Sequence, residues 1–285
     1  MFFKSIKMYW SLSQEQKKFI RNGGITAEMS IAKWVKLLES ICRYDDIADT
    51  SRAVLTKWRN MSFGLVFFSF FIGFFSVFFT DQLTGLLIIP CSFSVAILMS
   101  IVSRLYNRID VNDNVRQVIF PLLQMLALEC GHQRKVRLAI NFKKKLARAD
   151  IAEKSKQGNT NTTIYDYEVL EADCLLIDNT KFSLKVIDTI RKRTVKKRSA
   201  SGKTKFKTKY KLKRRIALVM GFNAQSYFVN TNKVGKQNIF KETEQKITYK
   251  QVLKQSSVGQ TALIDIEMLL KKAHLPYSYL VAKVD

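Results

Sequence analysis

Lysine recurs at every second position from Lys203 through Lys205, Lys207, Lys209 and Lys211 to Lys213, and no Asp or Glu occurs between Arg191 and Arg215. In an extended strand alternate side chains point to the same face, so this spacing aligns ammonium groups in one row. Such a row attracts phosphate or carboxylate oxygens by charge and by charge-assisted hydrogen bonds. The chemistry on offer is binding. A solvated sheet surface that keeps an edge from pairing with other chains carries the same pattern.

Residue types that carry out reactions are sparse. Histidine occurs only at His132 and His274, each beside an expected helix end, where a partial positive charge is favoured without any catalytic role. The sequence has no Gly-rich phosphate loop, HExxH pair or GxSxG elbow. Asp45 and Asp46 are adjacent and diverge by about 100° on a helix, which suits capping better than a carboxylate dyad. Cys42, Cys91, Cys130 and Cys174 are scattered, with neither metal-ligand spacing nor a disulfide framework. Asp166, Glu168, Glu171 and Asp173 gather in one stretch, where only Glu171 and Asp173 are read as sharing a face, and they read as counter-charges for the lysines. The expectation is a non-enzymatic protein with no metal and no cofactor.

A lysine row needs a partner strand to position it. Phe182 to Arg198 reads as a long strand, and Ala200, Ser201 and Gly202 as a three-residue hairpin loop with Gly202 in the left-handed region. The return strand runs to Met220. Pairing Ser199 with Lys203 stacks Ile190 on Leu212, Val186 on Ile216, Leu184 on Leu218 and Phe182 on Met220, with Asp188 opposite Arg214. The other face then sets Lys205 against Lys197, Lys209 against Arg193, Lys211 against Arg191, Lys207 against Val195 and Lys213 against Thr189. Like charges directly across strands each cost about 0.2–1 kcal/mol, so the arrangement calls for an anion. The expected binding residues are Arg191, Arg193, Lys197, Lys203, Lys205, Lys207, Lys209, Lys211 and Lys213. Phe206 and Tyr210 fall on the opposite pleat, which weighs against stacked nucleic-acid bases on the lysine row.

Two uncharged runs, Met61 to Thr80 and Leu83 to Ser103, are separated only by Asp81 and Gln82. As helices of 18–20 residues they reach about 27–30 Å, the thickness of a bilayer's hydrocarbon core. The expected spans are 62–80 and 83–103, with a kink at Pro90. Lys57, Trp58 and Arg59 before the first span and Arg104 and Arg108 after the second read as membrane-interface anchors. Their positive charge places both termini in the cytoplasm and the protein in the inner, cytoplasmic membrane. Gly64, Ser69, Gly73, Ser92, Ser94, Ala96 and Ser100 allow close helix packing. With no charge inside either span, a proton relay, voltage sensor or coupled transporter lacks its working groups.

The flanks complete the fold class. Residues 1–60 read as N-terminal cytoplasmic or interfacial helices: one over Lys4 to Arg21, a second capped by Thr26, and a third starting at Asp45 or Asp46. Residues 105–285 read as a cytoplasmic α+β domain built on an antiparallel β-meander, with the basic hairpin at 182–220. Its expected parts are a helix from Val115 to Glu129, a strand from Val136 to Phe142, a polar linker from Lys143 to Thr162 and a strand from Tyr165 to Ile177. After the hairpin come short strands near Ser226 and Lys246, a helix from Thr261 to His274 closed by Pro276, and a last strand from Tyr277 to Val284. The whole is a membrane protein with a two-helix transmembrane hairpin.

Lys and Arg number 48 against 23 Asp and Glu, a formal charge of +25, yet 47% of the 285 residues are hydrophobic. That combination separates a basic folded protein from a disordered basic tail. The expected function is an oligomeric scaffold or sensor, held in the lipid bilayer and binding an anionic partner, either lipid headgroups or an acidic protein. Nucleic acid is the further candidate ligand. In topology the chain is similar to many bacterial membrane effectors, including some that defend against phage. That similarity implies a pore-forming alternative in which Ser69, Ser76, Ser92 and Ser94 face a lumen.

Overall fold

The computed structural model describes residues 2–79, 82–142, 146–199, 201–230 and 240–283, and its chain divides into two compact units. The first comprises Met1–Arg21 and Glu39–Val111. Its helices are α1 (Phe2–Ser11), α2 (Gln14–Asn22), most of α3 (Ile31–Phe79) and α4 (Gln82–Arg108). The expected single helix over Lys4 to Arg21 is broken by a capping box. Ser13 Oγ accepts the Gln16 N–H at 3.2 Å while Gln16 Oε1 accepts the Ser13 N–H at 2.8 Å.

The second and third expected helices are one. No Gly or Pro falls between Ile31 and Phe63, so nothing stops α3, which runs for 49 residues. Asp45 is a buried pairing residue instead of a cap: the Arg52 guanidinium meets it at 3.2 Å, reaches Asp49 at 2.7 Å and also bonds Asp110. Tyr44 donates to the Ile109 carbonyl at 3.2 Å, and Ser5 Oγ lies 2.7 Å from the Tyr106 hydroxyl, tying α1 and α3 to α4. Burial pushes the Tyr44 hydroxyl well above its ordinary pKa.

Farther along, α3 and α4 meet through small residues. Ser69 Oγ and Ser92 Oγ are 2.7 Å apart, the Arg59 guanidinium reaches Ser103 Oγ at 3.5 Å, and Ser62, Ser69, Ala96 and Ser103 are buried. Phe63, Phe67, Phe68, Phe70, Phe71 and Phe75 are each more than half exposed. Among the described residues one stretch, Ile89–Asn107, is long and apolar enough to cross a membrane. Thr80 and Asp81, the end of the first expected span and part of its turn, lie outside the described residues. Replacing Ser69 by Leu drives a larger side chain into the seam, an overpacking that typically costs about 1–3 kcal/mol. A lowered thermal midpoint is the expected result.

The second unit, Asn22–Leu38 with Asn112–Asp285, is an α+β domain on an antiparallel sheet. Its elements are β1 (Gly24–Ser30), the start of α3, a π-helical turn (Val115–Ile119) leading into α5 (Phe120–Cys130), β2 (Lys135–Asn141), β3 (Ile151–Gln157), β4 (Thr160–Leu175), β5 (Lys181–Arg198) and β6 (Thr204–Asn223). They continue with β7 (Tyr227–Val229), β8 (Phe240–Glu242), β9 (Lys246–Val258), α6 (Ile266–Tyr279) and β10 (Leu280–Ala282). Eight strands form one sheet in the order β1-β2-β4-β5-β6-β9-β8, with β3 paired to the first part of β4; β7 and β10 form a separate pair.

One face of the sheet carries the core. Val136, Leu138, Ile140, Leu170, Leu184, Val186, Ile216 and Leu218 are buried on it, with Leu122, Leu123 and Leu126 of α5. Trp34, on the first turn of α3, is fully buried and donates its indole N–H to the Val136 carbonyl at 3.1 Å. Three local expectations are corrected. The residues after Gly24 form β1, not a helix start: Ala27 and Met29 alternate against Leu138 and Val136, and β-pairing overrides the Thr26 cap signal. Part of the expected linker is β3, turned back through Gly158 and Asn159 onto β4. Its polar residues show no alternation because neither of its faces is buried. Pro276 lies inside α6, which is capped by Asp265 and continues to Tyr279, so only Leu280–Ala282 remain as the last strand.

Candidate anion-binding surface

The β5–β6 pairing follows the register read from the sequence: Ile190 opposes Leu212, Val186 Ile216, Leu184 Leu218 and Phe182 Met220. Ser199 accepts the turn through its backbone, with Gly202 at φ 76° and the Ser199 N–H on the Lys203 carbonyl at 2.9 Å. Ala200 lies outside the described residues. Asp188 and Arg214 form a buried bidentate pair at 2.6 and 2.7 Å, and the guanidinium also donates to the Ala262 carbonyl at 2.9 Å. Asn114 Oδ1 accepts the Ile264 N–H at 2.8 Å while its amide donates to Ala262 at 3.1 Å. This polar cluster fixes the base of the hairpin to the segment that leads into α6.

Beyond Ile190 and Leu212 the hairpin leaves the core. From there to the turn its described side chains are half-buried or exposed on both faces, and β3 with the first part of β4 extends beside it. The outer face brings together Arg191, Arg193, Lys197, Lys205, Lys207, Lys209, Lys211 and Lys213; Lys203 is exposed just before β6. Lys197 faces Lys205, Arg193 faces Lys209 and Arg191 faces Lys211. Among the described residues none of these cations is ion-paired.

The acidic stretch behaves differently from the reading that only Glu171 and Asp173 share a face. A bulge between Glu168 and Leu170 shifts the phase of β4, so Asp166, Glu168, Glu171 and Asp173 oppose Thr189, Ile187, Lys185 and Ser183 and all four fall on the outer face. Glu168 holds Lys185 at 2.6 Å, and Asp166 accepts from Thr189 at 2.7 Å. Glu168 engages the base of β5, and no described carboxylate reaches the lysine row. Hydrogen bonding to Glu168 raises the Lys185 pKa.

The other face of the distal hairpin has its own pattern. Lys192, Lys196 and Arg198 alternate with Phe206 and Tyr210, and the rows extend to Lys154 and Lys156 of β3. Phe206 is 68% exposed, the Lys192 ammonium lies 6.0 Å from the Tyr210 ring centre, and Thr194 and Thr208 share a hydrogen bond at 3.1 Å. The aromatics are thus opposite the lysine row, as the spacing indicated, but surrounded by cations nonetheless.

We found no match to a protein-family model, a curated protein or a solved structure. Residue chemistry therefore carries the functional reading alone.

At the membrane-anchor candidates, Lys57 and Arg104 are exposed, Trp58 is 55% exposed, and Arg59 reaches across to Ser103. The Arg108 side chain lies outside the described residues. His132 is exposed after α5, and the His274 ring stands 6.2 Å from that of Tyr277. The sequence reading missed one pairing: Cys130 and Cys174, far apart in the chain, place their sulfurs 3.9 Å apart inside the domain. Contact with Cys130 and then burial push the Cys174 thiol up, while the same contact lowers that of Cys130.

Because Lys209 faces Arg193, Lys209→Glu replaces a repulsion by an attraction. It is expected to leave the thermal midpoint unchanged or raise it by a few degrees, given cross-strand terms of about 0.2–1 kcal/mol, while weakening anion binding. A lower midpoint, measured by calorimetry, contradicts the repulsive pairing.

Proposed function

We propose that this chain is a non-enzymatic protein of the cytoplasmic membrane, anchored by a two-helix hairpin made of α3 and α4, with both termini in the cytoplasm and an oligomeric scaffold or sensor role. Its basic β5–β6 ribbon binds anionic lipid headgroups. The observation that carries this reading is the lysine row: cation faces cation across the strands, and no described carboxylate compensates them. An anionic surface relieves that repulsion, at about 1 kcal/mol for each basic residue near it. The exposed phenylalanines along α3 and the apolar stretch of α4 support the anchor.

The test is limited trypsin digestion of the full-length protein in nanodiscs. Cleavage after Lys205 to Lys213 slows when phosphatidylglycerol replaces neutral lipid, and equal cleavage in both rejects the lipid reading. Protection that appears only on adding an acidic protein assigns the ribbon to a protein partner instead.

Phe206 and Tyr210 among Lys192, Lys196 and Arg198 favour a second reading, single-stranded nucleic acid with bases stacked on that face. Binding that falls linearly in log salt and is lost in Phe206→Ala supports it. For the pore alternative, Ser69 and Ser92 hydrogen-bond each other between α3 and α4, which supports packing over lumen lining.

A further inference from the structure

A second basic surface lies at the far end of the same outer face. There Ser183, Val219 and Gly221 place short side chains, or none, in the middle of the sheet, with the long Lys181 chain beside them. A cleft of about 580 Å³ results, within the size range of small-molecule sites. Its rim carries Arg134, Lys135, Arg137, Lys181 and Lys246. Among the described residues none of these five cations is ion-paired, although Arg137 stands between Glu28 and Asp173 in the β1–β2 and β2–β4 registers.

Gly221 shapes the cleft. A Cβ there would sit 2.4 Å from Lys246 Cε and 3.0 Å from its Nζ, so the Lys246 chain lies over bare backbone. The lining also includes Glu28 and Asp173, which accept hydrogen bonds, and the apolar side chains of Leu175 and Val219, whereas Phe182 turns its ring to the core on the other face. Cations alone suit any anion. Carboxylates and an apolar wall beside them suit an anion that also carries hydroxyl or amino donors and a flat apolar part. We propose that this cleft binds a nucleoside phosphate, with the phosphates on the cationic rim and the sugar or base donors on Glu28 and Asp173. Asp166, Glu168 and Glu171 separate it from the lysine ribbon on the outer face, so the two surfaces act independently.

The test is calorimetric titration of the full-length protein, in nanodiscs of neutral lipid, with ATP, GTP and inorganic triphosphate. Saturable binding of a nucleotide is expected. The Arg137→Gln/Lys181→Gln/Lys246→Gln variant weakens it at least about tenfold, in line with the loss of charge-assisted hydrogen bonds. Gly221→Ala, which displaces the flexible Lys246 chain without changing charge, weakens it by a smaller factor. Unaltered thermal midpoints show that each variant is folded. Absence of saturable binding by both nucleotides at millimolar concentration overturns the proposal, as does binding that the triple variant leaves intact. Triphosphate binding as tightly as ATP overturns the nucleoside part.

Discussion

Arg214→Leu is expected to destabilise the sheet domain by about 3–5 kcal/mol, because it leaves the Asp188 carboxylate buried without its partner. The same change frees the Ala262 carbonyl, which then relies on Asn114 alone for its side-chain contacts. Urea unfolding of the detergent-solubilised protein, followed through the domain's signal, measures the loss. The pair itself need not be net stabilising, since taking two charges out of water costs nearly what their attraction returns. Asp188→Leu/Arg214→Met is therefore expected to regain most of the loss, and a double variant as weak as Arg214→Leu contradicts this view of the pair. The position matters for function, because Asp188 and Arg214 fix the hairpin at the point from which its distal strands leave the core.

Lys205→Gln/Lys207→Gln/Lys209→Gln/Lys211→Gln is expected to reduce affinity for anionic bilayers by about a hundredfold while leaving the fold intact. Four charges at about 1 kcal/mol each set an upper bound near a thousandfold, and screening of these exposed groups lowers it. The substitutions also remove three cross-strand repulsions, Lys205 with Lys197, Lys209 with Arg193 and Lys211 with Arg191, so stability should hold or rise. Binding of soluble anionic peptides or vesicles to the nanodisc-held protein gives the affinity, and its salt dependence should flatten in the variant. Unchanged affinity with unchanged salt dependence removes the ribbon from the binding surface.

The hairpin was legible because side-chain periodicity and turn chemistry agree on it. A one-residue slip would set Asp188 and the apolar residues on the wrong face, so the sequence tolerates only one register. Local turn chemistry also agrees with the structure where Gly131 ends α5 and where Asn179, at φ 60°, turns between β4 and β5. The rest depended on contacts distant in sequence. Gly24–Ser30 becomes a strand only because β2 lies beside it, and β3 because β4 offers it an edge. The bulge in β4 that gathers Asp166, Glu168, Glu171 and Asp173 has no local signature, and it decides which cations they neutralise. The basic cleft has a similar origin: Arg134, Arg137, Lys181 and Lys246 come from three strands and a loop, and the Lys246 chain can lie over the backbone there because Gly221 has no side chain.

Amide hydrogen exchange along β5 and β6 of the full-length protein, compared between neutral and phosphatidylglycerol-containing nanodiscs, tests the lysine ribbon most directly. Slower exchange confined to Arg191–Arg198 and Thr204–Lys213 in the anionic bilayer, abolished by the four-lysine variant and by high salt, is the expected result. Identical exchange in the two bilayers contradicts a lipid-binding ribbon.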